Sequence, residues 1–216
     1  MTSNIVLSNI EYNSVGKRPI RHDGYDKVTG KALYGADISL PGMLYGHVLR
    51  SPHAHAKILS IDTTKAEAHP EVRGVITSQD LPVQAVENVV LGVGPAVNVK
   101  YLSSNVLARD KVLYKGHPVA ALVATSPHVA EEALGLIDVQ YEILSSATNV
   151  EDALDSKASQ LHNEFDGNIA SHTETVLGDI DKGFEDADIV VEREFRTKTV
   201  HQGYIDPHTA TAWWTP

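Results

Sequence analysis

Residues 118–143 constrain the fold more than any other stretch, because three different periodicities follow one another there without a break. Pro118 to Ala124 is a continuous apolar run, the pattern of a strand covered on both faces and therefore central in its sheet. Ser126-Pro127 then supplies a helix cap and a proline at the first helical position, where a missing amide costs nothing. Glu131 and Glu132 favour the positive start of that helix. Val129, Ala130, Ala133, Leu134 and Ile137 recur at helical spacing, which makes one apolar stripe facing a core. Val139, Tyr141 and Ile143 alternate with Asp138, Gln140 and Glu142, the pattern of a strand with one wet face. This strand, helix, strand succession allows a parallel pair joined by a right-handed crossover.

Upstream, Gly30 and Pro41-Gly42 mark turns, and two strand-like runs at 43–49 and 56–61 flank a bend at Arg50-Ser51-Pro52-His53. Residues 1–22 show no period and read as an extended arm. A short helix is expected at 63–68 with Asp62 or Thr63 as its cap, and a strand at 73–77. Residues 78–110 are apolar but irregular. Within them Gly92-Val93-Gly94-Pro95 lacks the spacing and following helix of a phosphate loop and reads as a turn. A short strand at 112–114 leads into a turn at Lys115-Gly116.

From Ser145 the chain becomes polar, with a loose helix at 150–154 and a connection through Asp166-Gly167-Asn168. A strand at 172–176, a helix at 180–187 after Gly178-Asp179, and strands at 189–199 and 209–214 complete the reading. In the longer of these, Glu192, Glu194, Arg196 and Lys198 share one face, with Val191 and Phe195 on the other.

Composition closes off several functions. The apolar fraction of 42% and charged fraction of 21% are those of a water-soluble protein, and no apolar run reaches the roughly 18 residues of a membrane helix. The start, MTSNIVLSNIEYNS, lacks the basic and apolar regions of a secretory signal, so a cytoplasmic location is expected. With no cysteine the chain offers no disulfide, thiolate site or iron-sulfur ligand. A net charge of -10 and scattered basic residues argue against nucleic acid. Lys17-Arg18 with Arg21 reads as a solvated approach.

Eleven histidines invite a metal reading, and His53 and His55 would share a face of an extended segment, but no third ligand has a convincing spacing. Ser51, His53 and Asp62 can be written as a triad, yet no nucleophile elbow supports it. His201-Gln202 with Asp206 reads more naturally as a turn before Pro207. Tyr34, Tyr45, Tyr114 and Tyr141 read as rim and core aromatics. No catalytic, cofactor-binding or metal residue is assigned.

Several separated blocks resemble one family. Lys27-Val28-Thr29-Gly30, Ala32-Leu33-Tyr34-Gly35-Ala36-Asp37 and Arg50-Ser51-Pro52-His53-Ala54-His55-Ala56 resemble the opening of the large, molybdopterin-binding subunit of the xanthine dehydrogenase and aldehyde oxidase family. Tyr114-Lys115-Gly116-His117-Pro118-Val119-Ala120, Val139 to Leu144, Gly178-Asp179 and Ala187 to Glu192 continue the likeness in the same order, over about residues 16–214. His201 to Trp214 is similar to the first strands of the family's molybdopterin-binding domain, although the family usually carries Glu where Asp206 stands.

The resemblance implies an α+β fold: an a/b hammerhead-like mixed sheet with packed helices, then the first β-rich part of a molybdopterin-binding domain. It divides the chain into an N-terminal arm (1–22), a hammerhead domain (23–147), and a linker with the incomplete start of the cofactor domain (148–216). The family's glycine-rich pterin motif and its late catalytic Glu lie downstream in the family's order and are absent from this sequence. The expectation is therefore the non-catalytic leading part of a molybdenum hydroxylase subunit, present as a fragment, a truncated product or a split gene. Alone it would be inactive and hold no cofactor; the complete enzyme would carry molybdopterin with molybdenum, an iron-sulfur cluster and FAD. The implied partners are the remaining molybdopterin-binding polypeptide, an iron-sulfur subunit and a flavin subunit, with no nucleic acid or membrane. Separately, the strand-like residues 187–216 would leave an edge or apolar face open, so they are expected either to self-associate or to stay disordered. A stand-alone interaction or scaffold module with the hammerhead fold is the rival reading.

Overall fold

The computed structural model describes residues 12–83, 88–90, 96–163, 167–169 and 172–215. In chain order its elements are α1 (Gly24–Val28), β1 (Tyr45–Arg50), β2 (Ala56–Asp62), α2 (Thr64–Glu67), β3 (Val72–Thr77), β4 (Asn88–Val90), β5 (Ala96–Asn98), α3 (Val99–Ser104), β6 (Lys111–Val112), β7 (Pro118–Ala124), α4 (Pro127–Leu134), β8 (Asp138–Ile143), α5 (Val150–Leu154) and α6 (Ile180–Glu185). The chain divides into two units, residues 41–193 and residues 1–40 with 194–216.

In the larger unit the apolar run is central, as its composition requires. β7 lies between β1 and β3, antiparallel to both, and the register sets Val48 and Ile76 on either side of Ala121. One face of β7, formed by Ala120, Leu122 and Ala124, is closed by Ala130 and Ala133 of α4 and by Ile137 beyond the helix end. The facing alanines let helix and strand backbones approach closely, and Leu122 fills the space between them. α4 starts where Ser126 Oγ accepts the Val129 amide at 3.3 Å.

The parallel pair that this succession allowed does not form. Both edges of β7 are already taken by β1 and β3, so α4 carries the chain out of that sheet. β8, with its single wet face, joins a second antiparallel sheet of order β6-β2-β8. Behind that sheet Ala56, Ala108, Val112 and Val119 form a second buried cluster. Ile61 and Val139 pack against both clusters and so tie the two sheets to one core. Helices packed on antiparallel sheets give the α+β class expected.

Two local expectations need correction. The irregular stretch after Ser78 holds a hairpin, β4 with β5, followed by α3; strands of three residues are too short to display a period. The turn assigned to Gly92 to Pro95 lies outside the described residues, as do residues 1–11 of the arm and Asp166 of the polar connection. The short strand before Gly116 covers Lys111 and Val112 only, because its partner β2 begins at Ala56 opposite Val112 and the Leu113 amide is taken by the His117 ring. At α2 the choice between the two expected caps falls on Asp62, whose Oδ1 accepts the Thr64 amide at 3.0 Å, while the Thr63 side chain makes no cap bond.

The largest departure comes after residue 171. α6 forms, capped by Asp179 Oδ1 on the Lys182 amide (3.0 Å), though it ends at Glu185, two residues short of the expected limit. The expected strands at 172–176, 189–199 and 209–214 are not formed among the described residues, all of which from 172 to 215 are exposed. Alternation prepares a segment for a sheet, but a strand exists only when a neighbour takes its backbone groups. Within the smaller unit Gly35 lies close to Thr209: a Cβ there would come 2.2 Å from Thr209 Oγ1, so the exposed Thr209 side chain would have to turn away. Arg21 pairs with Asp23 at an exposed position, as a solvated approach would.

Candidate functional site

Two of the sequence blocks that carry the family resemblance meet in the larger unit. The bend after β1 and the turn before β7 are joined by paired backbone bonds: Ser51 N–H donates to the His117 carbonyl and Gly116 N–H to the Ser51 carbonyl, both at 2.9 Å. Arg50 Nη1 adds a bond to the Gly116 carbonyl at 2.9 Å. Pro52 suits this bend because its backbone has no donor to satisfy.

His117 anchors the junction. It is 1% exposed, its Nδ1 accepts the Leu113 amide at 3.1 Å, and Nε2–H therefore donates to the Ser104 carbonyl at 2.9 Å. One neutral imidazole thus links the end of α3 to the turn, and the Tyr114 ring stacks on it with centroids 4.5 Å apart and planes 16° from parallel. Burial holds its pKa below the usual value, only partly offset by the Ser104 bond.

The two histidines of the bend have separate partners. His53 meets Tyr141 edge-on at 5.1 Å, and burial raises the Tyr141 pKa. His55 is buried, with Nδ1 2.8 Å from the Ser145 carbonyl. A carbonyl can only accept, so Nδ1 carries the proton; Nε2 is a buried acceptor with no partner among the described residues. His55 and His117 both line a cavity of about 830 Å3, to which residues 153–163 and 167–169 contribute a wall. Asn168 orders that wall: its Nδ2 donates to the carbonyls of Ala153 and Ser159, and its Oδ1 accepts the Leu161 amide.

The other candidate constellations do not assemble. Ser51 Oγ is engaged with the His53 backbone, accepting its amide at 3.0 Å and donating to its carbonyl at 3.1 Å. Asp62 stands at the far end of the seven-residue β2, about 20 Å along the strand at some 3.3 Å per residue, and is bound to the Thr64 amide. His201, Asp206 and their neighbours are exposed, and residues 205–206 form a bend, as the Asp-Pro pair suggested. Among the described residues no three His, Asp or Glu side chains come together in a way that could hold a metal ion.

Sequence reasoning missed His117. Its position between a Lys-Gly turn and an apolar run is compatible with burial, but its partners Leu113 and Ser104 are set by the fold.

Residues 29–145 match the a/b hammerhead domain of aldehyde oxidase and xanthine dehydrogenase, and residues 161–216 match the molybdopterin cofactor-binding domain. Among curated relatives, a probable xanthine dehydrogenase subunit of Bacillus subtilis is 37% identical over 89% of this chain and 24% of its own length. The nicotinate dehydrogenase large molybdopterin subunit of Eubacterium barkeri is 31% identical over 94% of this chain and 45% of its own. Among solved structures, quinoline 2-oxidoreductase from Pseudomonas putida 86 superposes with a TM-score of 0.61 at 34% identity, covering 74% of this chain and 20% of that one. The Cu,Mo-CO dehydrogenase gives 0.62 at 33% identity, over 81% of this chain and 23% of that one. This chain thus spans less than half the length of these relatives. With the matched hammerhead region taking in both halves of the Ser51 and His117 junction, the chain belongs to the aldehyde oxidase and xanthine dehydrogenase family.

Proposed function

We propose that the chain serves as the leading, non-catalytic part of a molybdenum hydroxylase large subunit, organised as an arm (1–22), a hammerhead domain (23–147) and the opening of the cofactor domain (148–216). The observation that carries this reading is what the signature residues do. Arg50, Ser51, Gly116 and His117 spend their polar groups on one another and on nearby backbone, as residues of a scaffold do.

The described residues do not fit a molybdopterin on their own. The region matched to the cofactor-binding domain is exposed at every described position from 172 to 215. In the complete enzyme the cofactor supplies the redox chemistry and the polypeptide holds it. The whole protein hydroxylates an aldehyde or an aromatic heterocycle with water-derived oxygen, working in the cytoplasm with an iron-sulfur and a flavin subunit. No helix among the described residues is long and apolar enough to cross a membrane.

Purification from native cells tests the reading. The chain isolated alone should carry far less than one molybdenum per chain, whereas molybdenum, iron and flavin should appear in fractions where it travels with larger polypeptides. Stoichiometric molybdenum in the isolated chain, or no such association, overturns it.

A further inference from the structure

Lys111 stands where a lysine is costly. In the register of β6 with β2 it lies directly opposite Lys57, and like charges facing one another across a strand pair destabilise it. The two amines are settled by turning to different elements. Lys57 Nζ pairs with both carboxylate oxygens of Glu142 on β8, at 3.0 and 3.1 Å. Lys111 Nζ leaves the sheet and donates to the Gln160 carbonyl and to Asn163 Oδ1, both at 3.1 Å.

Residues 149–163, which carry those two acceptors, lie over the larger unit as a strap. None of them is fully buried, and none belongs to either buried apolar cluster. The strap holds its own shape at both ends: Asn149 Oδ1 accepts the Asp152 amide at 2.7 Å, and Asn168 Oδ1 accepts the Leu161 amide at 3.0 Å. Its contacts with the body are polar or aromatic, with the His162 ring edge-on to Tyr101 of α3 at 4.6 Å, and it forms part of the wall of the cavity that His55 and His117 line.

We infer that Lys111 latches residues 149–163 onto the sheet of β6, β2 and β8, so that the strap opens as a unit while both sheets stay folded. A segment held by a few polar bonds beside open space opens at a much lower free energy than a packed strand. A hydrogen bond from an ammonium is worth more than a neutral one, so the two bonds from Lys111 dominate the attachment. The residues matched to the cofactor-binding domain begin at 161, within the strap, so the latch also fixes where that domain leaves the hammerhead. Failure of the latch would leave the hydroxylase reading untouched, since that reading does not depend on how the strap is held.

Amide hydrogen exchange on the full chain tests the latch in the parent, in Lys111→Met and in Asn163→Ala, which removes one acceptor and leaves β6 unaltered. In the parent the Leu161 amide should exchange about tenfold or more slower than the exposed amides of residues 190–200. Lys111→Met should speed Leu161 exchange by about tenfold or more, and Asn163→Ala by a smaller factor, with the amides of β7 unchanged in both. Should Lys111→Met fail to fold, Asn163→Ala alone must still speed Leu161 without loosening β7. A Leu161 amide that exchanges in the parent as fast as residues 190–200, or that neither variant speeds, overturns the proposal. So does equal loosening of β7 and the strap, which would make Lys111 a support of the sheet.

Discussion

Residues 118–143 and residues 189–214 make equally clear patterns in sequence, yet only the first builds a sheet within the described structure. β7 has both edges paired and one face closed by α4, with Ala120 and Ala124 at 0% exposure and Leu122 at 2%. Ile189, Phe195 and Trp214 are between 82% and 89% exposed. The difference is not in propensity, since the later segment is rich in valine and threonine and includes the better strand formers. It lies in what neighbours each segment can find. A central strand gains backbone bonds on both edges and burial on its faces, whereas an alternating segment without a partner gains neither.

The contrast is broken most sharply by truncating one large side chain in each region. Leu122→Ala should lower stability by about 2–5 kcal/mol, through lost burial and a cavity under α4, and Phe195→Ala by no more than about 0.5 kcal/mol. Urea melts at a concentration where the chain is monomeric compare the two directly; similar midpoints for both variants would mean that the later segment is packed after all.

The next largest effect is expected at the junction. His117→Leu keeps the bulk but strands the Leu113 amide and the Ser104 carbonyl, at about 1–3 kcal/mol for each unpaired buried group. The parent protein should also show an acid sensitivity that this variant loses. Since burial places the folded His117 pKa below the ordinary value of 6.5, the stability from keeping it neutral is complete above about pH 6.5. It falls as pH drops from there through the lower folded value, because the unfolded chain takes up the proton first. Melting curves between pH 7 and pH 5 should converge for the parent and His117→Leu; parallel curves would remove His117 from the acid response.

The smallest effect sharpens the description of α4. Ser126→Ala removes the side-chain cap on the Val129 amide and should cost about 1 kcal/mol, against a few tenths for Glu131→Ala on the exposed side of the same helix. Calorimetry resolves the two, and an inverted order would place the helix start elsewhere.

What the sequence determined by itself was local and dense in signal. The central placement of β7, the start of α4 at Ser126, the stripe through Ala130 and Ala133, the helix at Val150–Leu154 and the turn at Gly30 follow from burial periods, capping chemistry and positive φ, each expressed within a few consecutive residues. What only the tertiary structure decided was pairing. Nothing within β8 states that it joins β2 and not β7, because an alternating strand is compatible with any free edge, and which edges remain free depends on β1 and β3 many residues away. The same holds for His117, whose two partners, Leu113 and Ser104, lie 4 and 13 residues before it in sequence. Hydrogen bonds and sheet edges saturate, so their partners are fixed by the whole set of competing strands, whereas a helix cap or an apolar stripe is complete within its own segment.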